Sequence, residues 1–276
     1  MKEIIKGKLI IIGGAEDKEG NKEILKIVRD SIDKNTGELV IATIATTNPK
    51  EAGDKYNELF SNLGVKNISI LDVQSREEAH REEKISLVKN AKLIFFTGGD
   101  QLRITSIVGG TPLHKELKDA YSKGCIFAGT SAGASVMSST MVVNGDDEES
   151  PKKCTLKMAP GLGLIDRVII DQHFAQRGRI GRLLGGVAEN PDVLGIGIDE
   201  DTAIIVDNDG KFTIMGSGAV YVIDGSCISY SNVSEQNQDE VLSMFNVKMH
   251  ILKEGNNFNL LTRKPLEEER LNNENN

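Results

Sequence analysis

One serine in this sequence has the surroundings of a nucleophile. Gly129-Thr130-Ser131-Ala132-Gly133 follows an apolar run at 125–128 and leads into small residues over 134–138. Gly-x-Ser-x-Gly between a strand and a helix is the pattern of a nucleophile elbow. A sharp turn lifts the hydroxyl out of the sheet, and flanking glycines avoid collision with neighbouring backbone. The amides that follow, at a helix start, can hold an oxyanion. A glycine-rich turn with no chemistry has the same spelling, so the serine's partners must decide.

A serine needs a base, and the base needs an orienting acid. Four histidines are available. His80 lies in a charged run that reads as a solvated helix face. His114 follows Pro112 in a helix and is expected at the surface, and His250 sits in an alternating strand-like run. His173 differs: it follows a strand-like run at 167–170 and is flanked by Asp171, Gln172 and Arg177. Polar clusters at strand ends mark sites, so His173 is the expected base. For the acid, Asp199, Glu200 and Asp201 follow an apolar run from Gly195. Side chains alternate along extended chain, so at most one of Asp199 and Glu200 reaches the histidine. Spacing leaves that choice open. The order serine, histidine, acid departs from the serine, acid, histidine order of α/β-hydrolases.

The elements that must position these residues alternate in type. Apolar, β-branched runs at 8–12, 38–45, 67–73, 92–96 and 125–128 are separated by helical spacing at 21–33, 50–63, 75–90 and through Pro112 to 123. This predicts an α/β fold with a mostly parallel central sheet flanked by helices. Asn48 and Pro49 read as the cap and first residue of a helix. Ligands collect at the carboxyl ends of such strands, where the loops at Gly13, Thr46, Gly98 and Ser131 all fall. Paired glycines at 98–99 make a second oxyanion amide plausible beside that of Ala132. Downstream, 144–153 reads as an acidic surface loop, followed by turn character over 158–164. A helix is expected over 178–190. Short strands with tight turns follow from Val193, with a hairpin at 207–210, and form a C-terminal antiparallel meander. Residues 235–245 read as helical, and 267–276 as a frayed tail. The expectation is one α/β hydrolytic domain over 1–266.

Several classes are excluded. A net charge of −8 argues against a nucleic-acid footprint. Cys125, Cys154 and Cys227 are far apart and form no CxxC, which argues against a disulfide framework or zinc site. No complete GxGxxG or Walker sequence is present, so no nucleotide cofactor is expected. No signal peptide or membrane span is evident, and a cytoplasmic location is expected.

Five motifs, in order, carry a resemblance: Gly13-Gly14-Ala15-Glu16-Asp17, Thr97-Gly98-Gly99-Asp100-Gln101, Gly129 to Ala134, Asp171-Gln172-His173-Phe174 with Arg177, Arg179 and Arg182, and Gly197 to Ala203. They resemble the cyanophycinase family, serine peptidases of the peptidase E type on a class I glutamine-amidotransferase-like, flavodoxin-like fold. The resemblance spans about residues 8–225. It implies Ser131 as nucleophile, His173 as base, Glu200 as the acid, and the Gly99 and Ala132 amides as oxyanion donors. It implies acyl-enzyme hydrolysis of cyanophycin, poly-aspartate bearing arginine on each side-chain carboxylate, to β-Asp-Arg dipeptides. No metal or cofactor is implied, and a homodimer is. Each repeating unit presents a guanidinium and a carboxylate. Arg177, Arg179 and Arg182 suit bidentate grips on carboxylates, and Gln101, Asp171 and Gln172 supply acceptors. Arg177 does not share the helix face of Arg179 and Arg182, so a loop closing over a ligand explains the three together. The alternatives are an aspartyl dipeptidase of the peptidase E type and a non-catalytic binding protein. Amidotransferases carry cysteine at the elbow.

Overall fold

The computed structural model describes residues 7–266 except 146, 148, 149, 154, 155, 238 and 239. Cys154 and the expected frayed tail lie outside the described residues. The apolar runs of the first half become β1 (Leu9–Ile12), β2 (Glu38–Ala42), β3 (Asn67–Leu71), β4 (Leu93–Phe96) and β5 (Ile126–Thr130). They pair in parallel in the order β3-β2-β4-β5-β1. Unbroken Val, Ile, Leu and Phe runs suit strands covered on both faces. One face is covered by α1 (Glu23–Asp30) and α2 (Pro49–Asn62), whose Ile24, Leu25, Tyr56 and Phe60 pack with Ile10, Ile41 and Phe95. The other carries α3 (Glu82–Asn90), α4 (Gln101–Val108) and α5 (Pro112–Ser122), which pack Val88, Ile104, Leu113 and Leu117 on Val40, Phe96 and Phe127. Pro49 occupies the first turn of α2 as expected, but Asn48 makes no side-chain cap bond. The charged stretch at 75–90 is not one helix. A single 3-10 turn, Glu78–His80, ends at an extended Arg81 before α3 begins.

After β5 comes a short α6 (Ala132–Ser135), then a hairpin of β6 (Thr140–Asn144) and β7 (Lys157–Pro160), and β7 runs into the start of the stretch 158–164 where turn character was expected. Next follow β8 (Val168–Gln172), α7 (Ile180–Glu189), β9 (Leu194–Ile198), β10 (Thr202–Val206), β11 (Lys211–Gly216) and β12 (Val220–Asp224). The described residues end with a ribbon of β13 (Tyr230–Ser231) and β14 (Met244–Phe245), then β15 (Lys248–Leu252), and a hairpin of β16 (Asn257–Asn259) and β17 (Lys264–Leu266).

These strands do not form one meander. β10, β11, β16 and β17 extend the main sheet antiparallel from β1, whereas β8, β9, β12 and β15 make a separate four-stranded sheet. The chain passes between sheets at Asp199–Asp201, where Asp201 has φ 48°. One continuous core joins the two sheets, with Ile11 and Phe127 of the first and Ile170, Ile196 and Val222 of the second. Among the described residues of 235–245 there is no helix, although one was expected there. Leu242 is instead pinned by its amide to the Pro151 carbonyl, and Val241 bridges Lys152, so tertiary pairing overrides helical spacing there. Among the described residues no helix is long and apolar enough to cross a membrane.

Candidate active site

Ser131 stands at the end of β5 with φ 54° and ψ −114°, a conformation that costs a non-glycine residue strain. The surroundings hold it there. Its amide donates to the Ile12 carbonyl, and its own carbonyl accepts from Ala134 and Ser135. The flanking glycines are required by contact. A Cβ on Gly129 would meet the Gly133 carbonyl at 2.4 Å, and one on Gly133 would meet the Phe96 carbonyl at 2.4 Å.

His173 follows β8 directly, in the left-handed region at φ 50°, and its amide donates to the Gly13 carbonyl at 2.8 Å. Its Nε2 lies 3.0 Å from Ser131 Oγ and its Nδ1 lies 2.6 Å from Glu200 Oε1. With Nδ1–H donated to the carboxylate, Nε2 is left to accept the serine proton. Burial holds the His173 pKa below the ordinary imidazole value of 6.5. The Glu200 bond pushes it up and the Arg177 charge pushes it down again. The ring is therefore neutral near pH 7, as a base must be.

The turn at 199–201 divides its three carboxylates. Glu200 faces the histidine. Asp199 points away, accepting the Ala175 amide at 2.9 Å on one oxygen and the Ala219 amide at 3.0 Å on the other. Asp201 accepts the Asp17 amide and the Ser217 hydroxyl. Asp199 and Asp201 thus shape the turn that aims Glu200.

Gly99, at φ 145°, closes on the Ala45 loop so tightly that a Cβ would sit 2.3 Å from the Ala45 carbonyl. A Cβ on Gly98 would lie 4.0 Å from Ser131 Oγ, so this loop borders the hydroxyl. The Gly99 amide and the Ala132 amide, at the start of α6, can both approach an oxyanion formed on Ser131.

The polar residues beside the histidine divide into two groups. Gln172 Oε1 is 3.4 Å from Ser131 Oγ, and Arg177 is exposed at the end of the 3-10 turn Ala175–Arg177. Asp171, Arg179 and Arg182 are buried and bound to one another. Both Arg182 Nε (2.6 Å) and Nη2 hold the two Asp171 oxygens, and Arg179 Nη1 donates to Asp171 at 3.3 Å and to the Gln172 carbonyl at 2.6 Å. Asp147 accepts from both arginines. A carboxylate buried at the end of β8 demands such partners, so ion pairing within the fold, rather than a loop closing on a ligand, accounts for Arg179 and Arg182. Gln101 is also buried, with Nε2 donating to the Val142 carbonyl at 2.7 Å.

Two features escape the sequence. Glu16 is buried beneath the elbow, where its carboxylate accepts Tyr56 Oη at 2.5 Å and Thr130 Oγ1 at 2.5 Å and pairs with Lys18 at 2.9 Å. Burial beside this carboxylate raises the Tyr56 pKa far above its usual value and keeps the phenol protonated. Gly14 lies against the His173 ring. Their motif, residues 13–17, is visible in the sequence, but only folding brings it under Thr130 and His173. Among the described residues, no group of three or more His, Cys, Asp or Glu is arranged to hold a metal ion.

Comparison with known proteins shows the family. The model of peptidase family S51 matches residues 9–214. The cyanophycinase of Geminocystis herdmanii is 37% identical over 267 residues, 96% of this chain and 98% of that protein. The cyanophycinase of Trichormus variabilis is 37% identical over 259 residues, 94% of this chain and 87% of its own. The fold is similar to the crystal structure of a peptidase from an acI-B1 actinobacterium, with a TM-score of 0.65 at 21% identity, covering 93% of this chain and 98% of that one. The chain belongs to peptidase family S51, among the serine peptidases of the cyanophycinase type.

Proposed function

We propose that this enzyme hydrolyses cyanophycin to β-Asp-Arg dipeptides, with Ser131, His173 and Glu200 as its catalytic residues. The relay of 3.0 Å and 2.6 Å from Ser131 through His173 to Glu200 carries the reading. Ser131 Oγ attacks a backbone carbonyl of the polymer as its proton passes to His173 Nε2. Glu200 stabilises the imidazolium, and the Gly99 and Ala132 amides receive the oxyanion. His173 then gives its proton to the leaving amine, leaving an ester on Ser131. Water, deprotonated by the same nitrogen, cleaves that ester and restores the serine. Gln172 and Arg177 border the cleaved unit, with the buried Asp171, Arg179, Arg182 and Gln101 supporting that wall from behind. The buried ions hold Gln172 in place.

Within the same reading, residues 1–266 act as one hydrolytic unit, because one core spans both sheets. A cytoplasmic homodimer is included in it. The free edge of β15, with Met249 and Ile251 exposed, offers a face for a second copy, and sedimentation of the purified protein tests this. The decisive experiment is incubation with purified cyanophycin and mass analysis of the products. The dipeptide is expected from the wild type and absent with a folded Ser131→Ala protein. Release of the dipeptide by that variant would refute the assignment of the nucleophile.

A further inference from the structure

The main sheet has a switch point that the catalytic residues leave unused. β2 and β4 are neighbours, but the chain leaves β2 through α2 toward β3 and leaves β4 through α4 and α5 toward β5, on the opposite face. Connections that diverge in this way open a crevice outside the carboxyl ends of the two strands, and open α/β sheets bind ligands there. Such a crevice is present. A cleft of about 510 Å³ is lined by Ala45, Thr46 and Thr47 after β2 and by Gly99, Asp100, Leu102 and Arg103 after β4. Gly99 is at once its rim and the candidate oxyanion residue, so a chain whose carbonyl lies on Ser131 has this cleft beside it.

The charges in the cleft are unlike those at Asp171. Arg103 is half-buried. Its guanidinium donates to the neutral Gln74 side chain, its Nε is buried without a partner, and among the described residues no carboxylate pairs with it. Asp100 is exposed and caps α4 with Oδ1 only, accepting the Leu102 and Arg103 amides. Its other oxygen has no partner among the described residues. An unpaired cation and an available carboxylate oxygen therefore stand three residues apart on one wall.

We infer that this cleft binds the arginyl-aspartate unit flanking the scissile bond, with Arg103 on the free carboxylate of the arginyl arm and Asp100 on its guanidinium. This rests on the cyanophycin reading above and adds a second recognition site to it. Arginine and carboxylate match in fork geometry, which gives the contact direction as well as charge. Thr46 and Thr47, after β2, face the same unit from the other wall.

The test uses two-unit β-Asp-Arg substrates, one with both arginyl carboxylates free and one with only the flanking unit's arginyl carboxylate amidated. Arg103→Gln should raise KM for the free substrate at least tenfold more than it lowers kcat. Amidation should raise the wild-type KM comparably and have little further effect on Arg103→Gln, as expected of two changes that remove one contact. Asp100→Asn keeps the helix cap and should also raise KM. If wild type turns over the free substrate and Arg103→Gln retains its KM, or if amidation and the mutation act additively, the cleft is not this subsite and the catalytic reading stands. If wild type turns over neither this substrate nor cyanophycin, both readings fall.

Discussion

Gly14 and His173 share a space that holds no extra carbon: a Cβ on Gly14 would fall 2.4 Å from His173 Cε1 and 2.5 Å from Nε2. The missing side chain, far from the elbow along the chain, is what lets the imidazole stand over Ser131. Gly14→Ala should move the ring off the serine. The expected loss in kcat is roughly 10²–10⁴-fold, the range for a displaced general base, with about 1–3 kcal/mol of destabilisation from the strained backbone. Steady-state kinetics and urea unfolding of the same preparation check both numbers. Wild-type kcat would mean that the ring has room to adjust.

Asp199 and Glu200 are adjacent carboxylates with separate tasks, and their variants should separate as well. Glu200→Gln removes the charge that stabilises the imidazolium and should lower kcat by about 10²–10⁴-fold. Its stability should change by less than about 1 kcal/mol, because the side chain is partly exposed. Asp199→Asn turns one amide-accepting oxygen into a donor facing a backbone N–H. It should cost about 1–3 kcal/mol in unfolding free energy. Equal effects on activity and stability in both variants would contradict this division.

Arg177 sets part of the pH dependence. His173 works as a base only when neutral, so kcat/KM rises with pH through the His173 pKa, which lies below 6.5. Arg177 disfavours the imidazolium. Its removal in Arg177→Gln should raise that pKa and move the acid limb of kcat/KM to higher pH, further for Arg177→Glu. Salt should shrink the difference, because Arg177 is exposed. A limb that moves to lower pH would contradict the stated cause.

Glu16 should prove structural first and kinetic second. Glu16→Gln leaves Lys18 without its buried partner and weakens the acceptor shared by Tyr56 and Thr130. A loss of about 2–4 kcal/mol is expected by urea unfolding. Because Thr130 precedes the nucleophile, kcat should also fall in the protein that remains folded. Unchanged stability would show that the carboxylate is dispensable under the elbow.

Much of this protein is legible locally. The alternation of apolar runs and helical spacing predicts β1–β5 and their helices, because burial on both faces leaves a continuous hydrophobic run in each strand. Gly-x-Ser-x-Gly between strand and helix marks Ser131, and the polar cluster after 167–170 separates His173 from His80, His114 and His250. Pairing partners are a different matter. Residues 167–170 and 195–199 read as strands, yet their spacing does not say that they leave the main sheet for a second one. The β6–β7 hairpin and the non-helical path of the described residues in 235–245 are set by contacts with other segments of the chain.

The sequence by itself determined which residue types are present for acyl transfer, and the order serine, histidine, acid that distinguishes them from the α/β-hydrolases. Tertiary structure decided between Asp199 and Glu200, because the left-handed turn at Asp201 and the Ala175 and Ala219 amides claim the first and aim the second. It also decided that Arg179 and Arg182 neutralise Asp171, while Arg103, among the described residues, stands without a counter-charge. The physical reason is the same in each case: spacing along a chain dictates local conformation, whereas charge pairing and close approach depend on segments that meet only in the folded molecule.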